Sequence, residues 1–574
     1  MSSAFPAAPA AAPRRAHWIV SLALAALGGL ALDAATPSLA WWPMALVGAP
    51  LVLAAVWQQR AGLGALSGAV AGAAFWMPQI SWLTLYLGPI PWLALCGVMI
   101  AWFALFGLAA ALATRGLARL RLSPQAVVAV QSFAVAGLWV LREQLQSTWP
   151  YGGFAWGRLA HTQAEGPLAP LVSWVGFSGL SGLLALAGAV LGAVLVAAWF
   201  GTGIAAVPDA ADAQDVQGSK LRSRRLRLLA VVVGASLALG MLALVPPAHV
   251  ERAGTLRVAA VQGNAKSAIF DDRENGDVFR DHVEATATLL DRLEAEGETV
   301  DAIVWPENSA EFALPDQPYR ELALRELSER ADAPIVVGTV LRDPDDTFTN
   351  STLVYDEAGG TGVRYDKRRP VPFAEYMPNR EFFRALVPDL VDLVRLDYRA
   401  GTRSAVLEID GAGGSFAAGI AICFDIIFDD HAVALMGRGP TGGGVESQVI
   451  FAQTNNADFG RTDESAQQLA IARLRAVETG RALVNISTVG TSAIVLPDGA
   501  DVDRLTPFTR DAMVAEVPLS TGETPALRYG PVVAAAWMLL GAAGVIAGVI
   551  VGAIRGPIDG SVFRRRNAAQ RETD

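Results

Sequence analysis

Cys423 stands in the run Gly419-Ile-Ala-Ile-Cys-Phe-Asp-Ile426, where an apolar, β-branched stretch ends in a thiol followed by Phe424 and Asp425. It is one of two cysteines in 574 residues. The other, Cys96, lies in an apolar segment of membrane character, so the two are not expected to pair. A thiol attacks as its thiolate, and an ordinary cysteine holds only a few per cent of that form at neutral pH. Such a residue needs acid–base partners, and two candidates stand in similar settings. Glu307 follows the run 301–305 in Trp305-Pro306-Glu307-Asn308, and Lys367 follows Val363-Arg-Tyr-Asp366. Each also has a plain structural reading. A lone cysteine is more often a small buried hydrophobe. Glu307 could be a carboxylate favoured by a helix N-terminus, and Lys367, among Arg364, Arg368 and Arg369, could be a solvated charge.

The elements that would position these side chains alternate between strand and helix. Strands are expected at 256–262, 301–305, 334–338, 350–356, 404–409, 415–422, 447–453, 482–487 and 491–496, with helices near 276–297, 318–332 and 463–480. This pattern predicts one α/β domain with layered sheets over 247–529. Periodicity does not separate a two-sheet sandwich from a doubly wound single sheet. All three candidates sit just beyond strands, where α/β proteins commonly place their sites.

Composition frames the domain. Charged residues make up 17% of the chain and hydrophobic ones 52%, against about 25% charged in ordinary soluble domains. The charges are sparse from 17 to 200, dense from 250 to 525 and sparse again beyond. A membrane span takes about 20 mostly apolar residues. Eight candidates occur, near 17–35, 39–57, 62–84, 90–113, 124–142, 170–200, 227–246 and 530–554. The first follows Arg14 and Arg15 like a secretory signal, but six more spans precede the charged domain, so it is read as a retained helix. Arg14/Arg15, Arg60, Arg115–Arg121, Lys220–Arg227 and Arg564–Arg566 fall at alternate ends of the spans. By the positive-inside rule both termini are then cytoplasmic, and the 142–169 loop and the charged domain face outward. Trp41, Trp42, Trp82, Trp92, Trp149 and Trp199 stand near span ends, where aromatic belts form. Residues 1–16, 201–219 and 555–574 read as disordered cytoplasmic segments. The net charge of −10, with no long basic stretch in the charged domain, argues against a nucleic-acid partner.

Order and context sharpen the three candidates. Val304-Trp-Pro-Glu307, Tyr365-Asp-Lys367 and Ile422-Cys-Phe-Asp425 resemble, in turn, the glutamate, lysine and cysteine motifs of the nitrilase (carbon-nitrogen hydrolase) superfamily. Ala260-Val-Gln-Gly-Asn264 and Asn455-Asn-Ala-Asp-Phe-Gly460 look like landmarks of the same kind. Seven spans before such a domain and one after it resemble the apolipoprotein N-acyltransferase family, over residues 17–554. The loop Trp149-Pro-Tyr-Gly-Gly-Phe-Ala-Trp156 and the segment Gln467–Glu478 are similar to segments of that family too. The resemblance implies a seven-helix membrane domain at 17–246, an αββα sandwich at 247–529 and an eighth helix at 530–554. It implies a bacterial inner or plasma membrane location. It also implies ping-pong acyl transfer: Glu307 as base, Cys423 as nucleophile and Lys367 at the oxyanion, with a backbone N–H near Phe424 as second donor.

Glu375, in Pro372-Phe-Ala-Glu375-Tyr-Met-Pro378, fits the family's second glutamate and would orient Lys367 or the amine; by itself it reads equally as a surface carboxylate. Phe424-Asp425 stands where the family often has Tyr-Glu, and Asp458 where it has Trp, two departures expected to affect the shaping of substrate. The implied partners are a phospholipid acyl donor and a diacylglyceryl-cysteine lipoprotein acceptor. No cofactor or metal is implied, and a monomer is expected. The apolar stretch 379–398, with Phe382, Phe383, Leu386, Leu390, Val391 and Leu393, is read as a lid for lipid chains rather than a packed amphipathic helix. Arg142, Glu143, Arg158 and His161 could meet headgroups but are assigned to structural charges at helix ends.

Three other readings compete. A membrane-anchored amidase would share the triad and use water as acceptor. A transporter would need ionisable groups inside its spans, and these spans hold almost none. A Cys–His hydrolase would have to use His431, beyond Asp429-Asp430, which reads as an exposed turn; those three residues lack further partners for a metal.

Overall fold

A computed structural model describes residues 15–37, 39–200, 213–266, 268, 271–272, 274–440 and 442–554. The expected N-terminal and C-terminal tails lie almost wholly outside them, as do residues 201–212. Residue 213, which the sequence places in a disordered stretch, instead opens the helix Ala213–Leu242.

Two six-stranded sheets make the charged domain. The first runs, in space, Asp511–Thr521, Glu251–Gln262, Ala302–Val304, Ile335–Arg342, Phe348–Asp356, Gly359–Asp366. The second runs Asp501–Arg504, Ala493–Val495, Ala482–Ser487, Val449–Thr454, Gly414–Ile422, Val406–Gly411. Each has three parallel strands at its centre and antiparallel strands outside them. The alternation of side chains along a strand decides the layering. Val258 and Ala260 join an apolar cluster with Ile420, Phe451 and Val484 of the opposite sheet. Their neighbours Ala259 and Val261 pack with Leu289, Leu293 and Leu324 of the outer helices Asp277–Glu296 and Pro318–Ala331. Both faces of the parallel strands are therefore covered, which gives the αββα sandwich that periodicity leaves open.

Asp501–Arg504 and Asp511–Thr521 are strands the sequence reading does not place. The second pairs antiparallel with Glu251–Gln262, with Pro518 opposite Thr255. An edge strand tolerates a proline that would break a central one, and Pro518 with Glu516 hides the strand from a search for apolar alternation.

Among the described residues, five helices are long and apolar enough to cross a membrane: Ala61–Gln79, Pro89–Leu117, Pro124–Gln146, Ala169–Trp199 and Pro525–Ile554. Trp18–Ala34, Trp42–Val56 and Leu229–Leu242 are apolar but shorter. The last long helix starts at Pro525, ahead of the expected 530, directly after the edge strand. Small residues let these helices approach closely. On Pro525–Ile554 a Cβ at Gly541 would collide with the backbone of Gly137, and one at Gly548 would lie 2.8 Å from the Cα of Ala113.

Arg142, Glu143, Arg158 and His161 are all buried, consistent with structural charges. Arg158 Nη1 donates to Asp429 Oδ2 at 2.8 Å, and Arg475 Nη2 lies 3.4 Å from Asp429 Oδ1. Glu143 Oε1 accepts from Trp139 Nε1 and from the Leu159 backbone N–H, each at 2.8 Å. Asp429 is thus not in a free turn: it opens the short helix Asp429–Leu435 and ties it to the 142–169 loop. Burial pushes its carboxyl up, but Arg158 and Arg475 outweigh this and hold it well below the usual carboxylate range.

Two substitutions test the helix packing. Gly541→Val should lower the melting temperature in detergent, with overpacking costing about 1–3 kcal/mol. Gly530→Val on the same helix, where an added Cβ meets nothing within 4 Å, should change it much less.

Candidate active site

Three loops at strand ends carry the site. Glu307 lies beyond Ala302–Val304, Lys367 beyond Gly359–Asp366 and Cys423 beyond Gly414–Ile422. Lys367 is buried, and its Nζ donates to Glu307 Oε1 at 3.0 Å and to Glu375 Oε1 at 3.0 Å. Asn350 Nδ2 bridges the same two carboxylates, at 2.7 Å to Glu307 and 2.9 Å to Glu375. The Val371 backbone N–H donates to Glu375 Oε2 at 2.7 Å, which folds the loop after Lys367 back onto it. Glu375 is therefore in the lysine's own cluster and not on an open surface loop.

Electrostatics follow from burial. Burial pulls the Lys367 ammonium down, but Glu307 and Glu375 more than offset this, and its pKa stands well above the usual lysine value. Burial raises Glu307; Lys367 opposes the rise and Glu375 adds to it. Burial, then the Glu307 charge, push the Cys423 thiol well up, against the pull of Lys367. The resting site is a protonated thiol near a carboxylate of raised basicity, the kind of group that can accept a proton in general-base catalysis.

Cys423 is half-buried at the junction of its strand and the short helix Cys423–Ile427. Its φ of 48° lies in the left-handed region that non-glycine residues rarely adopt. Asp425 holds that turn. Its Oδ2 accepts from Tyr365 Oη at 2.7 Å and from the Ile422 N–H at 3.2 Å, and its Oδ1 from the Arg369 N–H at 2.9 Å. Asp425 is fully buried, so its expected influence on the shape of the substrate site is exerted through the position of the thiol and of the lysine loop. Phe424 stacks near Phe154 of the 142–169 loop, with ring centroids 6.3 Å apart.

One group of residues escapes sequence reasoning. Gln468 Nε2 donates to Cys423 Sγ at 3.5 Å. Asn456 Nδ2 donates to Gln468 Oε1 at 2.9 Å and to Glu464 Oε2 at 2.7 Å. Burial pushes the Glu464 carboxyl up to about 8, despite the Asn456 amide, with the Glu307 charge adding to the rise. The available signal was the pair Glu464 and Gln468, four residues apart and so on one helix face. Gln467 points the other way: it accepts from Trp156 Nε1 at 2.8 Å and Trp82 Nε1 at 3.2 Å, and donates to the Gln79 carbonyl at 3.0 Å. Trp82 is therefore a contact between domains and not part of an aromatic belt.

His431 is not placed to serve the thiol. Its Nε2–H donates to the Ile420 carbonyl at 2.9 Å, and burial lowers its pKa. The 379–398 segment forms helices Arg380–Leu386 and Pro388–Val391. Val391 and Val394 are buried with Phe383, while Phe382 and Leu386 are exposed at 62% and 63%, so the segment has both a packed face and an open apolar one.

The sequence matches the family model described as apolipoprotein N-acyltransferase N-terminal domain over residues 28–190, and the carbon-nitrogen hydrolase model over 257–525. It is 30% identical over 427 residues to an apolipoprotein N-acyltransferase of Azotobacter vinelandii, covering 72% of each chain. It is 35% identical over 297 residues to one of Mycolicibacterium smegmatis, a match that spans 47% of that relative's length. Among solved structures, an amidase from Nesterenkonia sp. aligns with 47% of this chain and 92% of its own at 18% identity, with a TM-score of 0.33.

The raised Glu464 carboxyl has a consequence for stability. A carboxyl raised in the folded state contributes stability that is full below its unfolded pKa and is lost as pH rises to its folded value. Wild type should therefore lose melting temperature between pH 5 and about 8. Glu464→Gln, which keeps an acceptor for Asn456, should show a smaller loss over the same range in a thermal-shift series.

Proposed function

The chain belongs to the apolipoprotein N-acyltransferase family, and on that premise we propose that it acylates lipoprotein amines through a thioester on Cys423. Glu307 takes the thiol proton as Sγ attacks an ester carbonyl of a phospholipid. The tetrahedral oxyanion is stabilised by Lys367 Nζ and by the Phe424 backbone N–H; one such donor is worth about 2.7–4 kcal/mol. The C–O bond then breaks, Glu307 returns the proton to the departing glycerol oxygen, and a lysophospholipid leaves. In the second half the α-amine of a diacylglyceryl-cysteine attacks the thioester and Glu307 takes the amine proton. The C–S bond breaks, the amide is formed, and the thiolate recovers its proton from Glu307. Glu375 keeps Lys367 in place as the charge on Glu307 changes through this cycle.

One observation carries the reading: a buried ammonium between two carboxylates stands beside a cysteine, on a domain seated upon apolar helices. A hydrolase needs the first part only. Two lipid substrates give the helices a purpose, since they hold the thiol at the membrane surface where both diffuse. We read the five long and three shorter apolar helices as eight spans, with both termini cytoplasmic and the sandwich outside. Among the shorter helices, Trp18–Ala34 with 17 residues is about 25 Å long and suits a thinned or shielded edge of the bilayer. The exposed Phe382 and Leu386 fit a lid over acyl chains.

Intact-mass measurement of full-length protein with phospholipid should give a hydroxylamine-labile acyl adduct that Cys423→Ser abolishes and Glu307→Gln slows at least 100-fold, a general-base contribution of ~10²–10⁴. Adding a diacylated lipopeptide should yield the N-acyl product. Release of free fatty acid without N-acylation would instead assign the chain as a hydrolase.

A further inference from the structure

Beside the nucleophile lies a cleft of about 260 Å³ whose walls include Tyr151, Arg368, Arg369, Tyr376, Tyr398 and Phe424. Two of its lining residues are chain neighbours of the reacting groups: Arg368 follows Lys367, and Phe424 follows Cys423. Two guanidinium groups reach into the cleft. Arg369 Nη2 and Arg368 Nη2 share one oxygen of Asp430, at 2.5 and 3.8 Å, so one carboxylate faces two guanidinium groups. The Arg368 side chain is 13% exposed and its Nη1 is buried without a hydrogen-bond partner. The hydroxyls of Tyr376 and Tyr398 likewise make no hydrogen bond among the described residues. Burial, then the Glu375 charge, raise Tyr398, and burial raises Tyr376, so both phenols remain neutral donors at physiological pH. Glu307 and Glu375 do not supply an anion to this edge, because both are already engaged by Lys367.

A guanidinium with a spare N–H edge and two neutral O–H donors form a site for a singly charged anion with two or more acceptor oxygens. A phosphodiester has that chemistry, and planar guanidinium groups bind its oxygens in pairs. We propose that this cleft holds the phosphodiester of the acyl donor, with Arg368 as the principal contact and Arg369, fixed over the Phe428 ring at 4.8 Å, as the second cation. The inference rests on the reading of the chain as an acyltransferase with a phospholipid donor. Binding the headgroup here sets the ester carbonyls a glycerol away, on the side of Cys423. Selection is by the phosphodiester and not by the headgroup substituent, so zwitterionic and anionic phospholipids are both accepted.

The test uses full-length protein in micelles and two donors, phosphatidylethanolamine and p-nitrophenyl palmitate, which has an ester but no phosphate. Acyl-enzyme formation is followed by mass spectrometry for wild type, Arg368→Gln and Arg368→Lys. The expected result is a rise of about 10-fold in half-saturating phosphatidylethanolamine for Arg368→Gln, from loss of a charge-assisted contact. The ratio of phospholipid to p-nitrophenyl ester rate should fall by a similar factor, with partial recovery in Arg368→Lys. Glycerol 3-phosphate should compete with phosphatidylethanolamine in wild type and more weakly in Arg368→Gln. Equal losses with both donors would mean a structural role and overturn the inference, as would an unchanged phospholipid dependence. A change confined to the lipopeptide acceptor's half-saturation would assign the cleft to the acceptor instead. Absence of an adduct from either donor in wild type would overturn the thioester reading itself.

Discussion

Burying an ammonium ion is costly unless its charge is met and its protons are used. Lys367 is buried, and everything around it answers that requirement. Glu307 and Glu375 each take one of its protons at 3.0 Å. Asn350, on the strand paired with the lysine's own, donates to both carboxylates and prevents them from turning away. Two carboxylates against one ammonium leave a net negative charge, and the Glu307 charge adds to burial in keeping the Cys423 thiol protonated. In the proposed cycle the thiol keeps its proton until a reacting carbonyl arrives, and Glu307, raised by burial, receives it. A cluster built to satisfy one cation thus also holds the nucleophile in reserve.

The two sheets meet at this cluster through Asp425. Its carboxylate accepts hydrogen bonds from a phenol O–H on the first sheet's last strand, from an amide N–H of the lysine loop and from an amide N–H of its own turn. It therefore couples the strained backbone at Cys423 to the position of Lys367. Helix Glu464–Thr479 couples the site outward in a similar way. Adjacent glutamines on it face opposite partners: Gln468 touches the thiol, and Gln467 binds two tryptophans and a carbonyl of the apolar helices. Arg158 and Asp429 fasten the same region a few residues away. The Cys423 thiol is thereby fixed relative to the helical part, with its position set from both sides.

The strand–helix alternation of the charged domain was legible because parallel strands covered on both faces are continuous apolar runs, as in Ile303 and Val304 or Ile335–Val337. The edge strand Asp511–Thr521 was not, since one exposed side lets it carry Glu516 and Pro518. Helix positions among the apolar segments were legible for the same reason as the strands, by bulk hydropathy. Their lengths were not: Trp42–Val56 is enclosed by its neighbours and needs no full span of its own to be buried.

Which residue types stand at the ends of three strands is written in the chain, and Glu307, Lys367, Glu375 and Cys423 could be named from order and context. That order reflects a general rule: strand ends in α/β domains expose side chains at one edge of a sheet. The partners of those residues could not be named. Asn350 lies 43 residues from Glu307 and Gln468 lies 45 from Cys423, with Asn456 and Glu464 reached only through Gln468's network, and a polar side chain in a strand or helix looks the same whether it meets water or a buried carboxylate. Cys423, a free thiol at the end of an apolar strand, was visible from the start. Its protonation state, its turn and its distance from the membrane part depend on charges and amides brought together only when two sheets close on each other.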